Sequence, residues 1–492
     1  MSQPSIRKNY IFHVLYQVLV LVTPFITTPY VARVLGSDGE GLRSYIGSMM
    51  SFFTMFAALG TSIYGVKEIA QKRDNREEAS RLFWEIELLS VSTSLICLLG
   101  WLILSFMQKE YRIYFLAMIP TLLNVMLDIS WFFTAYEKVG YTVGRNAFFK
   151  ILGIVLLLTL VKSKSDLGLA IFLSSFTGML GSLTMWSFLP RLLVKVSFRG
   201  LAPWRHLKHT LVYFIPTIAT TISAVLDKFL LGLIIKNYSL SGYYAHASKL
   251  MGIVNSLAYS SLFAVLYPRM SYLFAQGKTE EVRQKISKSM DFALLIGLGC
   301  VFGVAGIAHV FVPVFWGPGW EPVETLLYMM CPITIIISIS NCLGALYYTP
   351  SGRRMQSTRY VIIDAAINTV LNLLLIPRWN AYGAVVATVA AEGITTVIYV
   401  QNCNGYLTWQ TLWRCSRLRL PAGAAMCALV MAIGRIPMES SILKLVIQVL
   451  SGAAFYIGVL LLTKDQTLKE LFTIAREYFR NKIGMLLGSN RG

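Results

Sequence analysis

Three ionisable residues lie inside two neighbouring apolar stretches near the middle of the chain. Asp227 and Lys228 lie in the stretch that ends near Lys236, and Lys249 lies in the stretch that begins at Gly242. An ionised side chain deep in hydrocarbon costs about 2.5–3.5 kcal/mol to insert. Such residues therefore indicate a wet, protein-lined interior, most often a path for a substrate or an ion. Internal cations favour an anionic substrate, and neighbouring acids limit the cost of an empty site.

Five further polar residues lie inside apolar stretches, and three of them share one helix face. The spacing of i, i+4 and i+8 places this group on a single line of the eleventh stretch. Such residues either line a path or form interhelical hydrogen bonds worth about 0.6 kcal/mol on average, and for the two asparagines both interpretations stay open. The acids, together with Asp227, are candidates for H+ or Na+ coupling or for charge balance, with charge balance favoured for Asp128. The five residues are Asp128, Asp364, Asn368, Asn372 and Glu392.

The cations differ in how deeply they enter the apolar stretches. Lys249 lies seven residues into its stretch, about 10 Å at 1.5 Å per residue, so a cavity position is favoured over hydrogen bonding between helices. Arg33 lies at one end of the first stretch, where a long side chain can reach the polar interface. We therefore expect Lys249 to be a stronger candidate for binding an anion than Lys228 or Arg33.

Composition identifies the class of protein. The 492 residues are 55% hydrophobic and 14% charged, with a mean hydropathy of +0.60, whereas soluble proteins carry about 25% charged residues. The chain is therefore a polytopic membrane protein. Its 7 Cys and 5 His show no spacing typical of a metal site or a disulfide framework, and we predict no metal, no cofactor and no catalytic residue.

The apolar stretches and the basic residues together predict a topology. A spanning helix needs about 20 mostly apolar residues. Alternate loops and both tails hold most of the Lys and Arg, which places both termini in the cytoplasm. The net charge of +20 then serves topology and contact with anionic lipid rather than nucleic-acid binding. About fourteen spans follow, at 11–35, 42–66, 83–107, 112–136, 145–162, 166–190, 210–236, 242–270, 290–316, 322–350, 359–377, 382–402, 419–438 and 442–462.

The most basic loop divides the predicted spans into two halves. Residues 191–209 contain five Lys or Arg and no acid, and each half opens with a helix that contains proline, Pro24 or Pro216. A six-helix repeat preserves orientation, so the halves would be related by an axis along the membrane normal. We predict a six-helix lobe over 1–190, a basic cytoplasmic linker over 191–209, a second six-helix lobe over 210–402, two additional spans over 403–463 and an amphipathic cytoplasmic tail over 464–492.

Several short motifs, in a fixed order along nearly the whole chain, resemble those of Wzx-type oligosaccharide flippases. That family belongs to the multidrug/oligosaccharidyl-lipid/polysaccharide exporter superfamily. The motifs are RVLG at 33–36 with Gly41, DISWFFTAYEK at 128–138 followed by Arg145, Asn146 and Lys150, Asp227 and Lys228 with Tyr244 and Lys249, Pro268 with Arg269, WGPGW at 316–320, and LIPR at 375–378 with Gly383, Ala384 and Glu392.

The resemblance implies a fold and a function. The fold is two six-helix lobes in a V, as in the multidrug exporters, with two added helices. The function is movement of a polyprenyl-diphosphate-linked oligosaccharide across a bacterial plasma membrane by alternating access, for capsule, exopolysaccharide, O-antigen or teichoic acid assembly. Polysaccharide polymerase and export proteins are the implied partners.

The resemblance also implies roles for individual residues. Lys249 foremost, with Lys228 and Arg33, would hold the diphosphate, while Tyr244 and the two asparagines lie on polar faces that pass the sugar. Related lipid II flippases carry Arg where Lys249 stands, and an ammonium binds diphosphate without the bidentate geometry of a guanidinium.

Two other functions remain open from the sequence. A multidrug or organic-cation antiporter of the same superfamily would share the fold, but such a carrier needs an acidic cavity, and the candidate lining is basic. A membrane-embedded polymerase or glycosyltransferase would need a sizeable exterior loop for its catalytic groups. The predicted exterior loops are short turns, so we predict a transporter and not an enzyme.

Overall fold

The computed structural model describes residues 6–137, 139–473 and 476, and its description of side chains leaves out 6–14, 139, 141, 191, 260, 261 and 264. Regular structure within these ranges is entirely helical. Short 3-10 turns occur at Lys164–Asp166, Trp186–Arg191 and Pro203–His206, and π-helical turns occur at Ser256–Ser260 and Gly344–Tyr348. The α-helices are α1 (Ile6–Ala58), α2 (Thr61–Lys72), α3 (Arg76–Met107), α4 (Arg112–Ala117), α5 (Ile119–Leu127), α6 (Ser130–Ala135), α7 (Val139–Leu160), α8 (Leu167–Met185), α9 (Leu207–Ile235), α10 (Tyr238–Asn255), α11 (Ser261–Ala275), α12 (Thr279–Phe315), α13 (Pro322–Leu343), α14 (Arg354–Gln401), α15 (Trp409–Ser416), α16 (Arg419–Gly434) and α17 (Ser441–Leu462).

Two helices are too long for a single crossing, and each contains a sharp kink. α1 has 53 residues and α14 has 48, whereas a bilayer needs about 20. The kink in α1 lies at Gly36, whose φ of 72° is open to glycine without strain. The kink in α14 lies at Asn380 (φ 53°, ψ −133°), three residues after Pro377. Each long helix therefore supplies two spans.

The number of candidate spans agrees with a polytopic membrane protein. Ten helical stretches within the described ranges are long and apolar enough to cross a bilayer, and there are eleven if α15 and α16, bent by 41°, count as one span. Dividing the two kinked helices raises this number. The stretch from α10 to α11, which covers the predicted eighth span, is not among the ten. The all-helical membrane fold is thus confirmed, and the predicted total of fourteen is approximate.

The chain packs as two compact units. The first comprises the described residues of Met1–Ala245 together with Asn372–Ala381. Its core is rich in fully buried aromatic side chains, among them Phe83, Trp101, Phe115 and Phe132. The indole of Trp101 also donates a 2.9 Å hydrogen bond to the Phe115 carbonyl, so the buried ring leaves no unpaired N–H.

The second unit comprises the described residues of His246–Leu371 and Tyr382–Gly492. Its largest cluster joins α11, α12, α13 and the end of α14, with Tyr347, Tyr348 and Tyr399 at its centre. α16 and α17 pack on α12 through a second cluster that includes Met426 and Tyr456. The two additional C-terminal spans thus belong to this unit.

Some predicted boundaries stay predictions. The two units divide the chain at Ala245 rather than at the basic linker, and this division does not address an internal six-helix repeat. The predicted amphipathic tail lies mostly outside the described residues, which end at 473 apart from 476. Within its described beginning, Leu468 is buried against α16 and α17, whereas Phe472 is exposed.

Candidate functional site

A buried carboxylate in the first unit gathers three of the predicted site residues. Asp227 lies in α9 and is 6% exposed. It accepts a hydrogen bond from the Tyr244 hydroxyl and another, of 2.6 Å, from the side-chain amide of Asn372. We call these three residues the Asp227 cluster. Sequence reasoning named all three residues, and the structure shows that Tyr244 and Asn372 are hydrogen-bonded to this acid.

Two predicted cations of the first unit differ in exposure. Lys228 follows Asp227 in α9 and is half-buried, whereas Arg33 is exposed in α1, three residues before the kink at Gly36. The proximity of Lys228 to Asp227 along the helix lowers the cost of holding a charge in an apolar span. Arg33 is therefore the more accessible of the two cations, and Lys228 is the more enclosed.

Four other predicted site residues belong to the second unit. Lys249 is exposed on α10, and Glu392 is half-buried. Asn368 is 3% exposed and lies 3.4 Å from the Thr388 hydroxyl, to which its amide donates. This contact joins the two halves of α14 and matches the interpretation of Asn368 as a link between helices. Asp364 is also buried, at 6% exposure.

Asp128 has a local structural contact. It ends α5 with an extended backbone conformation, and its carboxylate accepts a 2.9 Å hydrogen bond from the backbone N–H of Ser130 at the start of α6. One helical turn earlier in α5, Asn124 accepts a 2.7 Å hydrogen bond from Ser182 in α8. Both residues thus have contacts within the first unit, and the charge-balance role of Asp128 stays a prediction.

α1 and the start of α10 approach each other closely within the first unit. A Cβ atom on Gly41 would collide with the backbone carbonyl of Tyr238, and one on Gly242 would collide with the carbonyl of Ser37. The hydroxyls of Ser37 and Ser239 lie 3.0 Å apart across the same contact. We call this contact the glycine seam, because both backbones can approach this closely only where side chains are absent.

Sequence reasoning missed a buried polar network at the start of α3. Glu85 is fully buried and accepts from Arg205 and, at 2.9 Å, pairs with Nε2 of His206. The other ring nitrogen of His206 lies 2.8 Å from the Tyr64 hydroxyl. Glu87, 2% exposed, has no hydrogen-bond partner within the described residues. Two glutamates at the start of an apolar stretch were the available signal, but Arg205 and His206, which contact Glu85, lie 120 and 121 residues away along the chain.

A buried histidine in the second unit was also given no role from sequence. His246 is 3% exposed, and its Nδ1 accepts a 2.7 Å hydrogen bond from the Trp316 indole, while the Trp320 ring lies 4.5 Å away. The WGPGW motif therefore packs its two tryptophans on one histidine. At the end of this turn the Gly319 N–H donates to Glu321 at 3.0 Å, which holds the pKa of that carboxyl below its ordinary value.

These arrangements provide charged groups for non-covalent binding of ligands or ions. Among the described residues there is no group of three or more His, Cys, Asp or Glu side chains placed to hold a metal ion. The Asp227 cluster is an acid held by neutral donors with a lysine next in sequence, and Lys249 is an accessible cation. Such groups can bind an anionic headgroup or exchange a proton or small cation.

Comparison with known proteins identifies relatives. Residues 6–274 match the model of the family described as polysaccharide biosynthesis protein. The chain is 22% identical over 409 residues to a putative O-antigen transporter of Escherichia coli, covering 81% of this chain and 97% of the relative. A putative O-antigen transporter of Shigella dysenteriae is 24% identical over 392 residues, covering 78% and 97%.

Solved structures share the fold. The chain superposes on the lipid II flippase MurJ, in an inward closed conformation, with a TM-score of 0.69, 15% identity, and coverage of 93% of this chain and 99% of the other. An inward-facing multidrug transporter of the same superfamily gives a TM-score of 0.53 at 13% identity, covering 85% and 96%. The family match and the two relatives confirm the resemblance to polysaccharide exporters that was first drawn from short motifs, and the solved structures add the fold.

Proposed function

This chain belongs to the polysaccharide biosynthesis protein family, and we propose that it is a flippase for polyprenyl-diphosphate-linked oligosaccharide. It moves the repeat unit from the inner to the outer leaflet of a bacterial plasma membrane, with both of its own termini in the cytoplasm. The product serves surface polysaccharide assembly. The observation that carries the proposal is the family match over residues 6–274.

The relatives and the fold support the proposal in different ways. The two enterobacterial relatives are named as putative O-antigen transporters and align over nearly their whole lengths. The likeness to MurJ supplies only the fold. O-antigen is a polysaccharide, so the names of these relatives support a large, polar glycan as the transported group.

Accessible cations provide the contacts that a diphosphate needs. Lys249 is exposed on α10 and is the foremost candidate, with Lys228 and Arg33 as secondary candidates. An ammonium contributes a compact point charge with three donors, which suits a phosphate that must be released again on the other side. Asn368 and Asn372 have hydrogen-bond partners within the protein, as does Tyr244. We assign these three residues to shaping the path.

Transport proceeds by alternating access, and the glycine seam is the contact that must part on the exterior side. Backbones in direct contact exclude substrate while the seam is closed, and the absence of Cβ atoms lets the contact form and break without interlocked side chains. Asp227, Asp364 and Glu392 are the acids that can couple this motion to H+ or Na+. Asp128 contributes charge balance.

The test is leaflet relocation by purified protein. The protein is reconstituted in liposomes with a labelled polyprenyl-diphosphate oligosaccharide in one leaflet, and its appearance in the other leaflet is followed. Wild type is compared with Lys249→Ala and with Lys278→Ala, an exposed lysine in the polar turn before α12, after equal folded insertion is verified. We expect Lys249→Ala to lose transport and Lys278→Ala to keep it.

The other outcomes separate the parts of the proposal. Normal transport by Lys249→Ala would retain the flippase and remove this lysine as the diphosphate anchor. A wild-type protein that relocates no oligosaccharide-lipid but exports organic cations would contradict the substrate assignment and favour an antiporter of the same fold. Chemical conversion of the labelled lipid would instead indicate an enzyme.

A further inference from the structure

The second unit contains a cavity of about 880 Å³ that none of the predicted functions uses. Its walls come from the start of α12, the segment 405–408, α15, the start of α16 and the segment 464–470 that follows α17. This volume lies in the range of sites that bind small molecules. The two C-terminal spans, which sequence analysis placed outside the repeat, therefore frame a pocket with α12.

The floor of the cavity is a rigid ion-pair cluster. The guanidinium of Arg419 contacts Asp291 at 2.8 and 3.1 Å and Asp465 at 3.0 and 3.1 Å, and its side chain is 3% exposed. The hydroxyl of Thr467 also donates to Asp291. One arginine pairs with both aspartates, so their charges are compensated within the floor. These ion pairs connect α12, α16 and the segment that follows α17.

The mouth of the cavity is basic. Six basic and four acidic side chains line the whole cavity, but Arg419 occupies two of the acids, and Lys288 pairs with Glu470. This leaves Glu280 as the remaining acid against four cations. The four are exposed, and none of them forms an ion pair with a described carboxylate: Arg283, Arg414, Arg417 and Lys464.

The surroundings of the mouth are those of a membrane interface. α15 buries Leu412 and Cys415 on one face and exposes Trp409 (48%) and Trp413 (65%). Tryptophans are enriched where a membrane protein meets the headgroup region. The apolar helix α16 begins directly after α15 and bends from it by 41°. The basic mouth therefore lies at the end of a span, beside an exposed aromatic face.

We propose that this cavity, the headgroup pocket, binds the phosphate of an anionic phospholipid, with Arg414 and Arg417 as its principal ligands. Guanidinium groups suit phosphate because they donate two parallel hydrogen bonds. Basic pockets between spans on the cytoplasmic side of a membrane bind phospholipid headgroups in this way. The tryptophans of α15 lie against the acyl region, and the bound headgroup holds the two C-terminal spans on α12. The proposal does not depend on what the protein transports.

The experiment measures stabilisation of the full-length purified protein by lipid. The melting temperature in a neutral detergent is followed while phosphatidylglycerol is titrated, and phosphatidylcholine and inorganic phosphate are titrated in parallel. The double variant Arg414→Gln/Arg417→Gln removes the two principal ligands and keeps exposed polar side chains, so it folds. The control is Arg435→Gln, an exposed arginine at the other end of α16.

We expect phosphatidylglycerol to stabilise the wild type and the control at the same concentration. The double variant needs about thirty times more lipid for half of the effect, the fold-change that corresponds to about 1 kcal/mol for each basic residue near an anionic surface. Equal titrations of wild type and double variant would overturn the proposal. Equal stabilisation by phosphatidylcholine would also overturn it. Stabilisation by inorganic phosphate at the same concentration would assign the pocket to a soluble phosphate instead of a lipid.

Discussion

Removing one hydrogen-bond donor from the Asp227 cluster measures how much that cluster contributes to the stability of the first unit. Tyr244→Phe deletes only the hydroxyl that donates to Asp227, and the ring keeps its packing. The three residues are 3%, 6% and 0% exposed for Tyr244, Asp227 and Asn372, so water cannot replace the lost donor. A hydrogen bond to a charged group contributes about 1.5–3 kcal/mol. We expect Tyr244→Phe to destabilise the first unit by about that amount.

A double-mutant cycle separates the contact from other effects of the substitution. In an Asp227→Leu background the Tyr244 hydroxyl no longer has the Asp227 carboxylate as its acceptor. Changing Tyr244 to Phe in that background therefore breaks no hydrogen bond to residue 227. Tyr244→Phe should then be close to neutral, which gives a coupling energy of about 1.5–3 kcal/mol between the two positions. Tyr382→Phe, a half-buried tyrosine of α14, is the control for losing a tyrosine hydroxyl.

The assay is thermal or denaturant unfolding in detergent for all four members of the cycle, with Asn372→Leu as an independent arm on the other donor. If Tyr244→Phe costs the same with and without Asp227, the two side chains do not interact energetically and the cluster is not a unit. If instead the coupling is present and Asp227→Asn also keeps stability but changes the H+ or Na+ dependence of transport, the acid has both a structural and a coupling role.

Two further substitutions test other packed contacts. Gly41→Ala introduces a methyl group against the Tyr238 carbonyl and should destabilise the closed glycine seam by about 1–3 kcal/mol. The control is Gly458→Ala, at a helical glycine with open space around it. Equal melting temperatures for the two variants would contradict the close approach at Gly41. Arg419→Met leaves the buried Asp465 and the half-buried Asp291 without their cation and should lower stability by about 3–5 kcal/mol in unfolding measurements. Neutralising both aspartates in the same variant should recover most of that loss, and an unchanged melting temperature of the single variant would refute the role of the floor.

The fold class could be predicted from the sequence because the hydropathy signal is summed over all the residues of each span. A stretch of about 20 apolar residues spans the bilayer as a helix because a helix pairs the backbone N–H and C=O groups within the segment, away from water. The kinks were less visible. Gly36 is one of several glycines near the first turn, and Asn380 gives no signal of its own beyond Pro377 three residues earlier.

The contacts of the site were only partly predictable, because they join residues distant in sequence. Position inside an apolar stretch identified Asp227 and helical spacing identified Asn372 as candidate site residues, yet the hydrogen bond between them spans 145 positions. Glu85 and His206 are 121 positions apart, and nothing local pairs them. Resemblance supplied the order of the motifs, but not which side chains satisfy one another.

The buried polar groups follow a common physical logic within each unit. Asp227 has two neutral donors, Glu85 has an arginine and a histidine, and Arg419 has two carboxylates. Each such group would be destabilising alone and becomes a fixed cross-link between helices when its partners are in place. Clusters of this kind specify one arrangement of helices more sharply than apolar contacts, which tolerate sliding. Because each cluster lies inside a single unit, it fixes how the helices of that unit pack against one another.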